Sequence, residues 1–350
     1  MRVWNWGLVG LFVAAIGCLV LGQSVPPSGG TGPAKGEYRL VKTLPIGGEG
    51  RWDYLIAYPA TRQLFVTRSS HVQVINLDSG QVTADLKNTP GVHGVALAPD
   101  LGRGFTSNGQ AGTVTVFDLR TLQPTGTVKA GKNPDAIIYD PFSHKVFAFN
   151  GRSNDATVID AASPDGPTTR IELDGKPEFA GTDGQGHVYV NIEDKSEVAK
   201  IDVASLKVVN TWKIEGGEEP SGLAVDAANH RVYTGCHNKV MAVLDTETGK
   251  TLATLPIGSG VDACAFDSGT GNAFASCGDG TLTVAKETAP GKFEVVQTVR
   301  TRAGARTMAL DSNTHKAYLP TAEFERPAGG GRPAMKPGSF QIMVVSMTTR

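Results

Sequence analysis

Short apolar strands recur along this chain at a fixed rhythm. Between Trp52 and Ser312 one pattern appears seven times: an apolar strand, a turn, a second apolar strand and a third. One unit reads Pro220-Ser-Gly-Leu-Ala-Val-Asp226, a turn through Ala-Ala-Asn-His230, then Arg231-Val-Tyr-Thr234, Val240-Met-Ala-Val-Leu-Asp245 and Lys250-Thr-Leu-Ala-Thr-Leu-Pro-Ile257. That is four predicted strands per unit. The first strands begin at Asp53, His93, Asp135, Glu178, Ser221, Asp262 and Arg306, spaced 40, 42, 43, 43, 41 and 44 residues apart. Several strands in a period of this length predict an all-β, seven-bladed β-propeller.

The two ends of the pattern fit together. The seventh unit, from Ala305 through Met308-Ala-Leu-Asp311 and Lys316-Ala-Tyr-Leu319 to Phe340-Gln-Ile-Met-Val-Val345, lacks its outermost strand. Tyr38-Arg-Leu-Val-Lys-Thr-Leu-Pro-Ile-Gly47 matches an outer strand elsewhere, since Thr43–Gly47 and Thr254–Gly258 are the same five letters. The N-terminal strand is therefore expected to complete the last blade and remove an open sheet edge.

Composition narrows the class. With 43 glycines and 19% charged residues in a 350-residue chain, tight turns dominate and no second fold finds room. The formal net charge is -1 and becomes -2 if Arg2 is removed with a leader, which argues against a nucleic-acid partner. Residues 1–22 read as a signal peptide: Arg2 is followed by an apolar run from Gly7 to Leu21, shorter than a span of ~20 residues. The expectation is a periplasmic or secreted protein with no membrane span once the leader is gone. The rivals are a retained anchor and lipidation at Cys18; Leu19-Val-Leu21 continues the apolar run where a lipoprotein turns polar. Residues 23–37 read as a flexible leader, and 38–350 as a single propeller, expected to be a monomer.

Most chemical motifs dissolve on inspection. Gly126-Thr-Val-Lys-Ala-Gly-Lys132 approaches a phosphate-binding loop, but Asn133 replaces the magnesium-holding hydroxyl and Pro134 opens a strand. Asp140-Pro-Phe-Ser-His-Lys145, Asp226-Ala-Ala-Asn-His-Arg231 and Asp311-Ser-Asn-Thr-His-Lys316 repeat at one phase, so His144, His230 and His315 read as turn chemistry rather than ligands. Cys236, Cys264 and Cys277 have neither Cys-x-x-Cys spacing nor a His partner, so no metal or cofactor site is expected from them. They read as small buried hydrophobes, with a disulfide as the alternative.

The loops that enter the first strands and those joining second to third strands emerge on one face, around the mouth of the central channel. There the units disagree. The entering positions supply Asp53, His93, Asp135, Glu178, Ser221, Asp262 and Arg306; the second loops supply Arg68, Asn108, Asn150, Arg152, Asn191, Glu193, Asp194, His237, Asn238, Asp279 and Glu323. Variable loops on a repeated scaffold mark a binding face. The candidate binding residues are Asp53, His93, Asp135, Arg152, Glu178, Glu193, His237, Asp262, Arg306 and Glu323, facing a protein, a glycan or a small charged ligand. Two carboxylates at about 10 Å repel by roughly 1 to 2 kcal/mol at a dielectric near 20. Relief is expected from Arg306 and His93 as counter-charges, from a bound cation, or from raised carboxyl pKa values. Glu323–Gly338, with three basic residues and a triple glycine, reads as a flap on this face, or a lid over it.

Leu64-Phe-Val-Thr67, Val146-Phe-Ala-Phe-Asn150, Val188-Tyr-Val-Asn191 and Val232-Tyr-Thr234 resemble the second-strand signature of the YVTN family of propeller repeats. Residues 38–350 as a whole look like a bacterial YncE-like protein, of the propeller class that includes WD40-like and quinoprotein amine dehydrogenase-like rings. Gly104-Phe-Thr-Ser107 and Ala273-Phe-Ala-Ser276 depart from the signature. The resemblance implies an exported seven-bladed propeller without an assigned reaction. Binding or scaffolding is the expected role. The alternative is a lactonase-type hydrolase, since seven-bladed lactonases share this repeat type, with Glu178, His93 and Arg306 as base, acid and carboxylate clamp.

Overall fold

A computed structural model describes residues 36–325 and 334–348. The expected signal peptide, Cys18 and nearly all of the expected leader lie outside the described residues, as does 326–333 of the blade-seven insertion. Seven four-stranded antiparallel sheets form the ring, six of them ordered as their strands follow in sequence. Blade one comprises Leu55–Tyr58, Gln63–Arg68, His71–Asn76 and Val82–Leu86. Blades two to six repeat this between Val92 and Arg300. Each innermost strand touches the next, and Leu55–Tyr58 meets Ala309–Asp311 of blade seven to close the circle. Among the described residues no helix is long and apolar enough to cross a membrane.

Alternation explains the packing. Second and third strands are buried on both faces, as in Val72–Ile75 or Phe147–Phe149, because each blade is sandwiched between two others. Outer strands bury only alternate residues, such as Leu86 and Val128. The turn between first and second strands ends in a left-handed residue in all seven blades: Arg62, Gly102, His144, Gly186, His230, Gly271 and His315. Histidine tolerates that conformation better than branched residues do. Aspartates before these turns cap them: Asp140 accepts from the Ser143 amide at 2.8 Å and Asp311 from the Asn313 amide at 3.0 Å. Two histidines also join blades, His144 to Asp100 at 2.9 Å and His315 to Asp267 at 2.9 Å.

Ring closure follows the expected route. Glu37–Pro45 pairs antiparallel with Gln341–Thr348, so blade seven reads Ala309–Asp311, Lys316–Thr321, Gln341–Thr348, Glu37–Pro45. Tyr38 ties this strand to blade six, edge-on to Phe274 at 5.2 Å and bonded through both backbone groups to the Gln297 amide.

Arg68, expected at the channel mouth, is instead fully buried. Its guanidinium lies 3.8 Å from the Phe340 ring centre and donates to the carbonyls of Gly47 and Gly50 and to Gln73 Oε1. It thereby fastens the loop between the closing strand and blade one. Burial without a paired carboxylate lowers it to about 10. Asn108, Asn150 and Asn191 are likewise buried. Asn108 donates to Thr115 Oγ1 at 2.8 Å, and Asn150 to Thr157 Oγ1 at 3.0 Å. A second-loop position reads as mouth-facing from sequence, but at these four the side chain turns inward, to the adjoining strand at Asn108 and Asn150, to the next blade at Asn191 and to the connecting loop at Arg68.

Cys236, Cys264 and Cys277 are free and buried. Burial raises Cys236 and Cys277 to about 12, which keeps them as unreactive thiols.

Arg68→Met keeps the bulk over Phe340 and strips the donors from three buried or half-buried acceptors. A loss of roughly 3 kcal/mol in urea unfolding is expected, at ~1 to 3 kcal/mol for each group left unsatisfied. An unchanged midpoint would show that water replaces the clamp.

Candidate functional site at the channel mouth

The first strands do not enter their ladders cleanly. Pairing skips between Val92 and Val95, Pro134 and Ile137, Pro177 and Ala180, Pro220 and Leu223, and Val261 and Ala263. The skipped positions include His93, Asp135, Glu178, Ser221 and Asp262, so each head residue sits in a bulge that turns it toward the axis. In blades one and seven, Asp53 and Arg306 precede the paired strand. Neighbouring blades hold the freed carbonyls. Thr67 Oγ1 donates to His93 O at 3.0 Å, Asn191 to Ser221 O at 2.8 Å and Thr307 Oγ1 to Asp53 O at 2.9 Å. Ser107 and Ser276 do the same for Asp135 and Arg306. No repeat letter announces this relay, because threonine, serine and asparagine share it.

These bonds bring the heads into one cluster. His93 Nδ1 lies 2.6 Å from Asp53 Oδ2 and 3.6 Å from Asp135 Oδ1. Arg306 lies 2.9 Å from Asp262 Oδ2 and 3.9 Å from Asp53 Oδ1, and Ser221 Oγ donates to Asp262 Oδ1 at 3.1 Å. Lys176, which the sequence reading passed over, approaches Glu178 at 3.3 Å and also pairs with Glu193. Five carboxylates thus face three cations. Three donor atoms of Asp53, His93 and Asp135 fall within 4.8 Å of one another, the spacing of a metal site. The 2.6 Å contact between His93 and Asp53 needs a proton in the same space.

Other expected members lie apart. His237 pairs with Glu219 at 3.4 Å beside the cluster, and its charge helps to lower Asp262. Arg152 is exposed and has no axial partner among the described residues; it lines a groove between blades two and three with Lys129, Lys132 and Arg170. This is a local basic surface that net charge concealed. Glu323 pairs with Lys336 at 3.2 Å at the root of the insertion. Expected as a flap, the insertion has an ordered stem: Phe324–Glu325 pairs with Ala334–Met335, and Phe324 stands 6.0 Å from Trp52.

The protonation pattern follows from crowding. Burial alone would lower the His93 imidazolium; the bond to Asp53 and the charges of Asp135, Asp53 and Glu178 outweigh it and raise it to about 9. Burial raises Glu178 to about 8, with the Asp135 charge adding and Lys176 opposing. Asp135 and Asp262 rise to about 6, again by burial, against the pull of His93 and Arg306 respectively. Tyr54 sits directly below, buried and raised first by burial and then by the four surrounding carboxylates. Two of the expected remedies, counter-charge and raised pKa, operate together.

No family model matches the chain, and no curated protein matches it. Solved structures do share its fold. A Kuenenia stuttgartiensis hydrazine synthase structure superposes with a TM-score of 0.66 at 16% identity, over 79% of this chain and 92% of that one. U3-55K gives 0.72 at 10%, over 89% and 99%, and the WD40 repeats of RRP9 give 0.73 at 10%, over 90% and 99%. At such identities the likeness is one of architecture, a seven-bladed ring with WD40-like neighbours. The YVTN resemblance rests on the strand signatures alone.

Of the raised groups, His93, Glu178, Asp135 and Asp262 bind more protons folded than unfolded between about pH 4 and 9, so stability falls as pH rises through that range. The carboxyls withdraw stability from about pH 4, their unfolded range, up to 6 for Asp135 and Asp262 and 8 for Glu178. His93 contributes fully below about 6.5 and loses its contribution by about 9. Urea midpoints are expected to decline from pH 5 to 9, and Glu178→Gln to flatten the stretch between 6 and 8. A midpoint that rose with pH would contradict the cluster as described.

Proposed function

We propose that this protein is an exported binding protein that holds a ligand's ammonium or guanidinium group at the acidic channel mouth. The observation that carries the proposal is the imbalance of charge at the axis: Asp53, Asp135, Glu178, Glu193 and Asp262 against His93, Lys176 and Arg306. The cluster retains protons that a cationic ligand would displace. The propeller architecture, common to many binding and scaffolding proteins, supports the same reading without specifying a ligand. Export rests on the N-terminal pattern of the sequence.

The hydrolase alternative draws on Glu178, whose value near 8 suits proton transfer around neutrality. Its other two members are engaged already. His93 as an imidazolium between two carboxylates lacks a basic lone pair, and Arg306 faces Asp262. An inorganic cation between Asp53, His93 and Asp135 would first require the shared proton to leave. An organic cation above the ring needs no such step.

Because a bound cation favours ionised carboxyls, binding and proton release are linked. Calorimetric titration with putrescine is expected to show uptake that tightens between pH 6 and 8 and a proton released to buffer. Asp135→Asn with Glu178→Gln should weaken it roughly tenfold or more. Equal binding of succinate, or none of putrescine, would refute the proposal.

A further inference from the structure

We propose that the axial channel beneath the charged mouth is a second binding site, for a small uncharged molecule with an apolar body and one hydrogen-bond acceptor. It rests on different residues from the cation site. The first strands all run from the mouth face toward the turn face, so the positions after each head residue line the channel below it. There they border a half-open cavity of about 340 Å³, walled largely by Ile56, Ala57, Ile138, Phe179 and Leu310. Its volume falls in the range of small-molecule pockets, and the mostly apolar wall matches their usual lining.

The lining defines the ligand. It contains no acid, lysine, arginine or histidine, so a charged molecule would lose its hydration there without compensation. Polar groups are few and mostly taken. Tyr139 donates to Asp100 at 2.7 Å, and Thr182 Oγ1 donates to Asp140. Tyr54 differs. It is 6% exposed, lines the cavity, and its ring packs on Phe179 at 4.7 Å. No hydrogen bond to its hydroxyl occurs among the described residues. The residue is nine-tenths buried, but its hydroxyl oxygen stays open to the channel, as a donor that can meet an acceptor entering there. A ligand carrying one carbonyl or ether oxygen does satisfy it, while its apolar part covers the isoleucine and leucine wall.

The matched pair acetophenone and ethylbenzene tests this, one with and one without the acceptor on nearly the same shape. Ligand-detected NMR titration of the full chain is expected to show saturable binding of both, with acetophenone about fivefold tighter, the fold-change of one net hydrogen bond. Tyr54→Phe should erase that preference while keeping both ligands. Ile138→Trp should fill the cavity and remove both, leaving putrescine uptake at the mouth unchanged. If that variant does not fold, intermolecular contacts from acetophenone to the Ile56 and Leu310 methyls serve in its place. Absence of saturable binding, a preference that survives Tyr54→Phe, binding that persists in folded Ile138→Trp, or contacts to other methyls would each overturn the site.

Discussion

Everything at the axis depends on one ladder, the pairing of Glu37–Pro45 with Gln341–Thr348. A propeller is a closed circle, and each blade's inner strand is positioned by the blades on either side. Were that ladder open, blade seven would end in an exposed strand edge, and blade one would lose the neighbour whose Thr307 holds the Asp53 carbonyl. The chain reinforces the joint where it is weakest. Arg68 grips the connecting loop and stacks on Phe340, and Tyr38 and Gln297 bind the closing strand sideways to blade six. A buried guanidinium is an expensive device. Its use at this place alone among the described residues marks closure as the step that local strand propensity cannot secure.

Closure has an electrostatic consequence. Seven strand heads are forced toward one line, and four of them are carboxylates. The repulsion is offset in two ways, by an imidazolium and a guanidinium set between acids and by protons retained on Glu178 up to about pH 8 and on Asp135 and Asp262 up to about pH 6. Such a cluster is poised rather than relaxed, since any added positive group lets the retained protons go. Immediately below, the same convergence brings Tyr54 and Phe179 together and leaves an apolar space of about 340 Å³. The channel is therefore divided along its length into a charged upper part and an apolar lower part, with Tyr54 between them.

The turn face shows what the scaffold needs when no ligand is involved. His144, His230 and His315 resemble ligands in sequence, but left-handed backbone and capping aspartates account for them, and blade-to-blade bonds use two of them. Uniform phase reflects that shared turn geometry. On the mouth face the same logic found the head residues yet misjudged Arg68, Asn108, Asn150 and Asn191. A loop position specifies where a backbone emerges, whereas the direction of the side chain depends on what the next blade offers. At Asn191 that is the Ser221 carbonyl, which lies 30 residues away in sequence.

Periodicity by itself determined the architecture, the blade count, the closing strand and the seven residues that face the axis, because hydrophobic alternation and turn chemistry are local properties repeated until they are unmistakable. Only the tertiary structure decided which of those residues touch, that Lys176 and Glu193 join them, that Arg152 faces a separate groove, and that Arg68 is a clamp. Bulges, burial and the hydrogen bonds between blades set these outcomes. They arise between segments some 40 residues apart, where charge and donor geometry are matched across an interface that no single repeat contains.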